Sequence, residues 1–568
     1  MEIKAPWLKY YNDIRHSLEY PDYTLYEAVL QVARKHPDCD ALLYMGKKFT
    51  YKELLERIDK VRVMLENIGV RQGDRIMVCL PNIPQAVSLL YAADSMGAVV
   101  CFVHPLSAVG EHIKYLDKLK AKLVVTLDVL YPDFMKAFEK TSQKPVLITS
   151  AADELGIIKR CACDFSQKNN KKPLEIKEDK NVYIWRDMLK GVEASSPEGN
   201  IKSCDDTSVV LFSGGTTGEP KGVMLSAKGL NAMAMQTLEM SHCDVFKKRM
   251  LAAMPMFHGF GLGVCVHTAL MGGGVCILVP RFTVKEYAKL IKKYRPNFIA
   301  GVPTLFEALL REKTLQKTDL SCLSGVFSGG DSLPPYLKKK FDGFLQDHGA
   351  TVRIREGYGA TECVTASCLT PYNVEREGSI GIPFPDTYYK ICKVSSTCQL
   401  PFGSEGEICI TGPAIMKGYL DDIEETKKVL KVHEDGLLWL HTGDVGLIDE
   451  DGFVYFKSRL KRIIVTRGYN VYPANIEKIL TEHPLVERSC VVGVSDPYKM
   501  QSIKAYIVPA MAMEDEEKLR TEILEYCKLN IAKYAIPSQI EFVKSLPVTK
   551  AGKIDYRTLE QRANEEKG

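Results

Sequence analysis

The chain has 568 residues, of which 46% are hydrophobic and 26% charged, an ordinary globular composition with enough length for several domains. Its 75 basic and 71 acidic residues leave a net charge of +4, so charge gives no argument for a nucleic-acid partner. The 17 cysteines are an odd number and lie in apolar runs, which indicates free thiols in a reducing compartment and predicts a cytoplasmic protein.

Two local patterns exclude further classes. The N-terminal residues MEIKAPWLKYYNDIRHS have no apolar stretch of the kind found in signal peptides. Cys161 and Cys163 lack the two-residue spacer and the second cysteine pair of a structural zinc site, so we predict no metal there.

Short apolar runs alternate with helix-length amphipathic segments through the first two-thirds of the chain. The predicted buried strands are DRIMVCL, AVVCFVH, KLVVTL, PVLITS and TSVVLFS. The segment FTYKELLERIDKVRVMLENIG has apolar residues near helical spacing and ends in glycine, which predicts a helix. This alternation predicts an α/β architecture with parallel strands.

The middle of the chain holds two unusual segments. Residues 155–200 are polar and rich in turn-forming residues, which predicts a variable surface excursion. Residues 250–280 carry no charge and are long enough to cross a membrane, but they include Pro255 and six glycines. We therefore predict a strand, a loop and a short buried helix there instead of a transmembrane span, and leave peripheral membrane contact open.

The stretch FSGGTTGEPKG, residues 212–222, follows the predicted strand TSVVLFS and precedes a helix that we predict to be capped by Ser226. Glycines let backbone N–H groups converge on an anion, and hydroxyl and ammonium groups add further donors. The predicted phosphate-binding residues are Ser213, Gly214, Gly215, Thr216, Thr217, Gly218 and Lys221. The alternative is a mobile turn; a P-loop is excluded because Gly222 replaces the hydroxyl residue after the lysine.

Seven further motifs follow this loop in order. They are PMFHGFG (255–261), SGGDSLP (328–334), EGYGATE (356–362), GEICITGPAIMKGYL (406–420), HTGDVG (441–446), KSRLKRIIVTRGYNVYP (457–473) and LPVTKAGKID (546–555). Together the eight motifs resemble the adenylate-forming superfamily of acyl- and aryl-CoA synthetases, firefly luciferase and peptide-synthetase adenylation domains. The resemblance covers nearly the whole chain and is closest to fatty acyl-CoA synthetases.

This resemblance implies a two-step reaction with ATP, Mg²⁺ and coenzyme A. A carboxylate attacks the α-phosphate of ATP to give an acyl-adenylate and pyrophosphate, and the thiol of coenzyme A then displaces AMP. The implied fold is a large N-terminal domain of α/β sheets layered with helices, residues 1–458, and a small, mobile α+β C-terminal domain, residues 462–568. Residues 459–461 form the implied hinge, and the implied state is a monomer or a homodimer.

The resemblance also implies which residues bind the nucleotide. Tyr358 would stack on adenine, and Asp444 would accept both ribose hydroxyls from a tight turn that Gly443 provides. Thr361 would contact the α-phosphate, and Glu362 would hold Mg²⁺, which prefers carboxylate and phosphate oxygens. Beyond the phosphate loop, the implied ATP-binding residues are Gly330, Asp331, Glu356, Gly357, Tyr358, Gly359, Ala360, Thr361, Asp444, Arg459 and Lys553.

Other implied roles concern catalysis and the second substrate. The resemblance makes Lys553 the catalytic lysine of adenylation, with His258, Thr361 and Glu362 as further catalytic residues. The implied lining of the acyl pocket is His258, Phe260, Gly261, Val302, Gly329 and Val364. Lys461 takes the hinge position, and Gly468 lines the approach of coenzyme A. Arg462 and Asn475 replace residues that are usually acidic in the family, which leaves hinge and coenzyme A contacts open.

The sequence favours a medium- or long-chain fatty acid as substrate. No Asp near PMFHGFG would pair an α-amine, and no arginine or lysine would receive a second carboxylate. Met233, Met235 and Met240 are adaptable residues that suit an alkyl chain or a protein core. An aryl or cinnamate-like acid is the alternative, and a nucleotide-binding protein without catalysis is a remote one.

Overall fold

The computed structural model describes residues 3–141, 144–155, 181–196, 202–213, 220–466, 469–496, 500–511, 515–549 and 552–566. Several predicted features lie outside these residues. They are the phosphate-loop residues Gly214, Gly215, Thr216, Thr217 and Gly218, the coenzyme A residue Gly468, the Cys161–Cys163 pair, and most of the excursion at 155–200.

Strands occur along the whole described chain. In chain order they are β1 (Asp40–Tyr44), β2 (Lys47–Thr50), β3 (Arg75–Cys79), β4 (Val99–Phe102), β5 (Leu123–Leu127), β6 (Val146–Thr149), β7 (Val182–Ile184), β8 (Thr207–Ser213), β9 (Lys221–Ser226), β10 (Arg249–Ala252), β11 (Val275–Leu278), β12 (Phe298–Gly301), β13 (Gly325–Ser328), β14 (Ile354–Tyr358), β15 (Cys368–Leu369), β16 (Ile382–Pro383), β17 (Tyr388–Cys392), β18 (Gly406–Thr411), β19 (Gly418–Tyr419), β20 (Leu430–Val432), β21 (Leu438–Ile448), β22 (Val454–Arg459), β23 (Ile464–Thr466), β24 (Tyr469–Val471), β25 (Val486–Asp496), β26 (Met500–Pro509) and β27 (Gln539–Phe542).

Helices separate most of these strands. The α-helices are Leu25–Lys35, Tyr51–Ile68, Pro84–Ser95, Val109–Leu119, Tyr131–Phe138, Trp185–Leu189, Ala227–Ser241, Thr268–Met271, Val284–Tyr294, Pro303–Leu310, Pro335–Asp347, Ile423–Val429, Pro473–Glu482, Glu516–Asn530 and Tyr556–Glu565. Short 3-10 helices cover Pro6–Tyr10, Asp128–Leu130, Thr361–Cys363 and Leu460–Arg462.

The strands form four sheets in the described part of the chain. A nine-stranded sheet has the order β16-β15-β14-β13-β12-β10-β11-β1-β2, and an eight-stranded sheet has the order β19-β9-β8-β4-β3-β5-β6-β7. Their central strands run parallel, with antiparallel strands at both edges of the nine-stranded sheet and at the β19 edge of the eight-stranded sheet. A five-stranded sheet of β17, β18 and β20–β22 follows, and a second one joins β23–β27. This α/β architecture confirms the predicted fold class.

Local sequence signals explain where the elements begin and end. The helix Tyr51–Ile68 begins at a capping box, in which Thr50 accepts from the backbone N–H of Glu53, and ends at Gly69, whose φ of 95° suits glycine. Ser226 caps the helix Ala227–Ser241 as predicted. All five strands predicted from apolar runs in the first two-thirds of the chain are confirmed, as β3, β4, β5, β6 and β8.

The uncharged segment at 250–280 folds as a strand, a loop and a buried helix, as predicted. Its loop leads into a π-helix, Phe260–His267, which continues into the α-helix Thr268–Met271 before β11. Across the described ranges, no helix combines the length and apolarity needed to cross a membrane.

One prediction about the glycine-rich loop was wrong. The loop does not join a strand to a helix, because Lys221 begins β9, which pairs antiparallel with β8 in the register Ser213↔Lys221. β8 and β9 are therefore neighbouring antiparallel strands, and Ser213 and Lys221 lie opposite each other. The short run KGVMLS carries few strand-forming residues before its apolar centre, so the sequence pattern concealed this strand.

The C-terminal sheet contacts the body of the protein through the helix Pro303–Leu310. Glu307 on this helix accepts from Arg488 Nε at 3.0 Å, and Arg311 donates to Glu487 Oε1 at 2.8 Å. Thr304 Oγ1 donates to the carbonyl of Gly552 at 3.1 Å. These contacts fix where the segment carrying residue 553 lies against the nine-stranded sheet.

Candidate active site

The loops that follow β12, β13 and β14 meet at the carboxyl edge of the nine-stranded sheet, where α/β proteins commonly bind ligands. A cavity of about 1040 Å³ opens at this edge. Predicted residues along its wall are Ser213, Lys221, His258, Phe260, Gly329, Gly330, Gly357, Tyr358, Gly359, Ala360, Thr361, Glu362, Arg459, Lys461 and Lys553. Ser213 and Lys553 thus line the same cavity although 340 residues separate them in the sequence.

A ring, a carboxylate and a guanidinium group form one wall. Tyr358 donates its hydroxyl to Asp444 Oδ2 at 2.7 Å, and Arg459 Nε lies 3.2 Å from Asp444 Oδ1. Burial raises the pKa of Asp444, while Arg459 and the Tyr358 hydroxyl oppose that rise. Asp444 in turn raises the pKa of Arg459, so the two groups stabilise each other as an ion pair.

The backbone around Asp444 differs from the predicted tight turn. Gly443 lies inside the long strand β21, in a bulge with φ of 70°, and its N–H donates to Glu407 Oε1 at 3.0 Å. A bulge inserts a residue into one strand and redirects the next side chain. The bulge therefore aims Asp444 at Tyr358, a role that depends on strand pairing and so is invisible in a local motif.

Backbone crowding explains the glycines around Tyr358. A Cβ at Gly359 would lie 1.8 Å from the carbonyl oxygen of Thr365, so no larger residue fits. Val364 and Thr365 themselves have φ of 60° and 111°, a region that β-branched residues rarely adopt. Such strain clusters at functional sites, where the surrounding structure holds it in place.

Glu362 and Lys221 lie on the phosphate side of the cavity. Tyr419 donates its hydroxyl to Glu362 Oε1 at 2.9 Å. Lys221 forms an ion pair with Glu425, and its ammonium group lies 5.0 Å from the centre of the Tyr419 ring. Tyr419 thus contacts both the carboxylate of Glu362 and the ammonium group of Lys221, and all three residues line the cavity. Glu425 and Tyr419 were not predicted.

Lys553 reaches the cavity from the C-terminal segment. A tight turn presents it, with the N–H of Gly552 donating to the carbonyl of Thr549 at 2.9 Å. A Cβ at Gly330 would lie 3.5 Å from Cε and 3.8 Å from Nζ of Lys553, which is ordinary contact, so the lysine packs beside this residue; the φ of 81° at Gly330 is what favours glycine there. Burial and the charge of Arg459 lower the pKa of Lys553.

His258 is neutral in this environment. Burial lowers its pKa to about 3, and the nearby positive charge of Lys553 adds to that effect. Its Nδ1 accepts from the backbone N–H of Phe260 at 3.2 Å. A small adjoining cavity between His258, Val302, Gly330 and Lys553 places the predicted acyl residue Val302 beside the reaction centre.

Six predicted residues do not line the main cavity in the described structure; of these, Val302 lines the adjoining cavity, and Asp444 is buried with its carboxylate on Tyr358 and Arg459. Asp331 is exposed, and its carboxylate accepts from the N–H of Ser332. Glu356 is buried behind the wall, where burial raises its pKa to about 8 and Leu333 N–H donates to it. Gly261 and Val364 are buried beneath the wall, so they and Glu356 support the cavity without facing it.

The sequence missed the deep branch of the cavity. Its walls come from the helix Ala227–Ser241, the π-helix, the start of β12 and β13, among them Thr237, Leu238, Ser241, Val264, Phe298 and Phe327. These side chains are apolar or small, and nothing in their pattern distinguishes them from a core. The cavity mouth adds Lys428, Lys431 and Arg557, which belong to no predicted motif.

Comparison with known proteins identifies the family and related folds. A family model described as AMP-binding enzyme covers residues 29–420, and its C-terminal domain model covers residues 475–553. A long-chain-fatty-acid–CoA ligase of Bacillus subtilis (strain 168) is 34% identical over 576 residues, covering 100% of this chain and 99% of its own. The 4-coumarate–CoA ligase 1 of Petroselinum crispum is 31% identical, covering 91% and 89%. ATP-bound MatB from Rhodopseudomonas palustris superposes with a TM-score of 0.82 at 24% identity, covering 96% and 100%.

Proposed function

The chain belongs to the AMP-binding enzyme family and is an AMP-forming acid–CoA ligase, and on that premise we propose that it activates a medium- or long-chain fatty acid. The deep apolar branch of the cavity is the observation that carries this proposal. Phe298, the first residue of β12, lines that branch, whereas the reactive groups lie beyond its last residue, Gly301. A strand rises about 3.3 Å per residue, so the branch extends at least roughly 10 Å from the reaction centre.

The proposed chemistry begins with adenylation. ATP would lie with its adenine against Tyr358 and its ribose hydroxyls on Asp444 and Arg459. Negative charge grows between the carboxylate and the α-phosphate as they meet, and the buried ammonium group of Lys553 stabilises it where water is excluded. His258 is neutral and adds no charge at the mouth of the acyl branch, so the carboxylate of the substrate brings the charge there.

The donor set fits a magnesium ion at Glu362. Mg²⁺ binds proteins through one or two carboxylates together with substrate phosphates, and Glu362 lies between Thr361 and the hydroxyl of Tyr419. When bound, the ion neutralises phosphate charge. The chain's own residues hold the carboxylate in position, since Tyr419 fixes one of its oxygens.

We expect Glu362→Ala to lose the response of adenylation to Mg²⁺ while retaining part of its ATP affinity, because adenine and ribose contacts remain. Pyrophosphate release measured against Mg²⁺ concentration checks this. Tyr419→Phe is the matched variant, since it keeps the carboxylate and removes only its hydroxyl partner. An unchanged Mg²⁺ response in Glu362→Ala would remove this residue from the metal assignment.

The second step is proposed to use a rotated C-terminal domain. We infer a hinge at residues 459–461, with Lys461 as its pivot between an N-terminal domain of residues 1–458 and a C-terminal domain of residues 462–568. Support comes from the contacts between the C-terminal segment and the helix Pro303–Leu310, which include polar groups of Thr304, Glu307 and Arg311. Such polar contacts break at low cost compared with an apolar interface.

The proposed substrate is tested by a thioester assay with saturated acids from butyrate to stearate, alongside benzoates and cinnamates. We expect turnover to rise with chain length into the medium- or long-chain range. Preference for a cinnamate would establish the aryl alternative. Failure to release pyrophosphate with any acid would establish the nucleotide-binding protein without catalysis, although Thr361, Lys553 and Arg459 all line one cavity.

We expect Thr237→Phe to shorten the acyl branch and to lower turnover of long acids at least about tenfold relative to butyrate. Thr237 lines the branch beyond the reaction centre, so a ring there takes space that only a long chain uses. Thr237→Val keeps the volume and removes only the hydroxyl, which donates to Met233 Sδ. If Thr237→Phe lowered turnover equally for acids of every length, Thr237 would not lie in the part of the cavity that holds the acyl chain.

A further inference from the structure

A cluster of buried metal-ligating side chains lies beside the nucleotide site. Glu407 and Cys409 are two residues apart on β18 and so face the same side of the sheet, and Cys409 is the register partner of His441 on β21. His441 Nδ1 lies 2.8 Å from Glu407 Oε2 and 3.6 Å from Cys409 Sγ. The three ligand atoms lie within 4.8 Å of one another.

We propose that Glu407, Cys409 and His441 form a binding site for a thiophilic divalent cation of the zinc class. One carboxylate oxygen, one thiolate and one imidazole nitrogen are a common donor set for Zn²⁺, which binds sulfur at about 2.3 Å and nitrogen or oxygen at about 2.0–2.2 Å. Binding displaces the proton of Cys409 Sγ, which leaves to solvent, while neutral His441 exchanges its Nδ1–H for an N–H at Nε2 and so frees Nδ1 for the ion. Adenylation and thioester formation as derived above use none of these atoms.

The surrounding groups fit a ligand role for His441. A metal-bound histidine usually donates its other ring N–H to a fixed acceptor. His441 Nε2 lies 3.0 Å from Nε2 of His433, and His433 Nδ1 is buried without a hydrogen-bond partner in the described structure. When His441 donates from Nε2, the proton of His433 moves to Nδ1. The second oxygen of Glu407 stays on the N–H of Gly443 and orients the carboxylate.

Charge and access also suit a cation. Lys390, the nearest ammonium group on the neighbouring strand, is paired with Asp435 at 2.9 Å, which neutralises it. Cys392 lies against Cys409 and supplies a second sulfur next to the first. Glu407 and His441 both line the main cavity, so an ion reaches the buried cluster through the nucleotide site. ATP in the cavity is expected to slow its entry.

The test uses full-length, chelator-treated protein with Co²⁺ alone as the probe, because cobalt bound to thiolate has a charge-transfer absorption that Zn²⁺ abolishes on displacement. We expect one Co²⁺ per chain with this absorption in the parent. Cys409→Ser is expected to lose the absorption and to bind about 10–100-fold more weakly. Cys398→Ser is the matched control, since Cys398 is an exposed cysteine near the same sheet, and it should behave as the parent.

Circular dichroism melts establish whether each variant is folded. If Cys409→Ser is unfolded, Glu407→Gln decides the question, because it keeps an oxygen for Gly443 N–H and removes the anionic ligand. Weaker binding in a folded variant supports the site. Absence of the thiolate absorption in the parent, or an unchanged absorption in folded Cys409→Ser, overturns it, as does unchanged affinity in folded Glu407→Gln when that variant decides.

Discussion

Replacing Lys553 with alanine is expected to lower acyl-adenylate formation by about 10²–10³, the scale for losing one preorganised electrostatic contact. The expectation rests on the ammonium group that lies beside Gly330 and is enclosed with Arg459 and His258. Thioester formation from purified acyl-adenylate and coenzyme A should remain, because charge no longer develops on the α-phosphate in the same way.

The measurement is single-turnover pyrophosphate release from fatty acid and ATP, set beside thioester formation from acyl-adenylate. Lys544→Ala is the control, since Lys544 is an exposed lysine on the same C-terminal segment. Equal damage to both half-reactions in Lys553→Ala would mean that one rigid conformation serves both steps. The proposed hinge at 459–461 would then have no function.

Replacing Asp444 with alanine is expected to reduce kcat/KM for ATP by about 10–150-fold, which corresponds to about 1.5–3 kcal/mol for hydrogen bonds to a charged group. The carboxylate is buried and holds both Tyr358 and Arg459, so its loss removes the ribose acceptor and frees the groups around it. Much of the effect should fall on KM, because the ribose does not react.

Comparison of ATP with 2′-deoxy-ATP makes this test specific. The parent should prefer ATP, and Asp444→Ala should lose most of that preference. Asp444→Asn is the matched variant, because an amide keeps the shape and one acceptor but lacks the charge that pairs with Arg459. Undiminished discrimination against 2′-deoxy-ATP in Asp444→Ala would show that the ribose binds elsewhere.

Much of this arrangement could be predicted from sequence because its signals are local. The capping box at Thr50 and the glycine that ends its helix act within a few residues, and the apolar runs that became strands did not depend on their partners. The residues of EGYGATE span the end of β14, so the motif lies at the carboxyl edge of the sheet. Lys553 was found by the same kind of short pattern.

The features that could not be predicted depend on pairing between distant segments. The bulge at Gly443 exists only because β21 pairs with β18, and β9 is a strand only because β8 holds its edge. In the sequence, Phe298 and Thr237 have the pattern of ordinary core residues. They line a cavity only because the helix Ala227–Ser241 and the nine-stranded sheet leave a space between them. A motif also names residues without their orientation, which is why Asp331 proved to be exposed and Glu356 to be buried behind the wall.

The course of the acyl branch along β12 has a consequence for how such an enzyme changes over generations. Phe298 and Gly301 are held apart by one rigid strand, so substitutions at its first residue alter what fits without disturbing groups beyond its last. Chain-length preference can therefore drift through mutations that are neutral for turnover. The preferred acyl chain length could therefore change in small evolutionary steps while the residues that carry out adenylation stay the same.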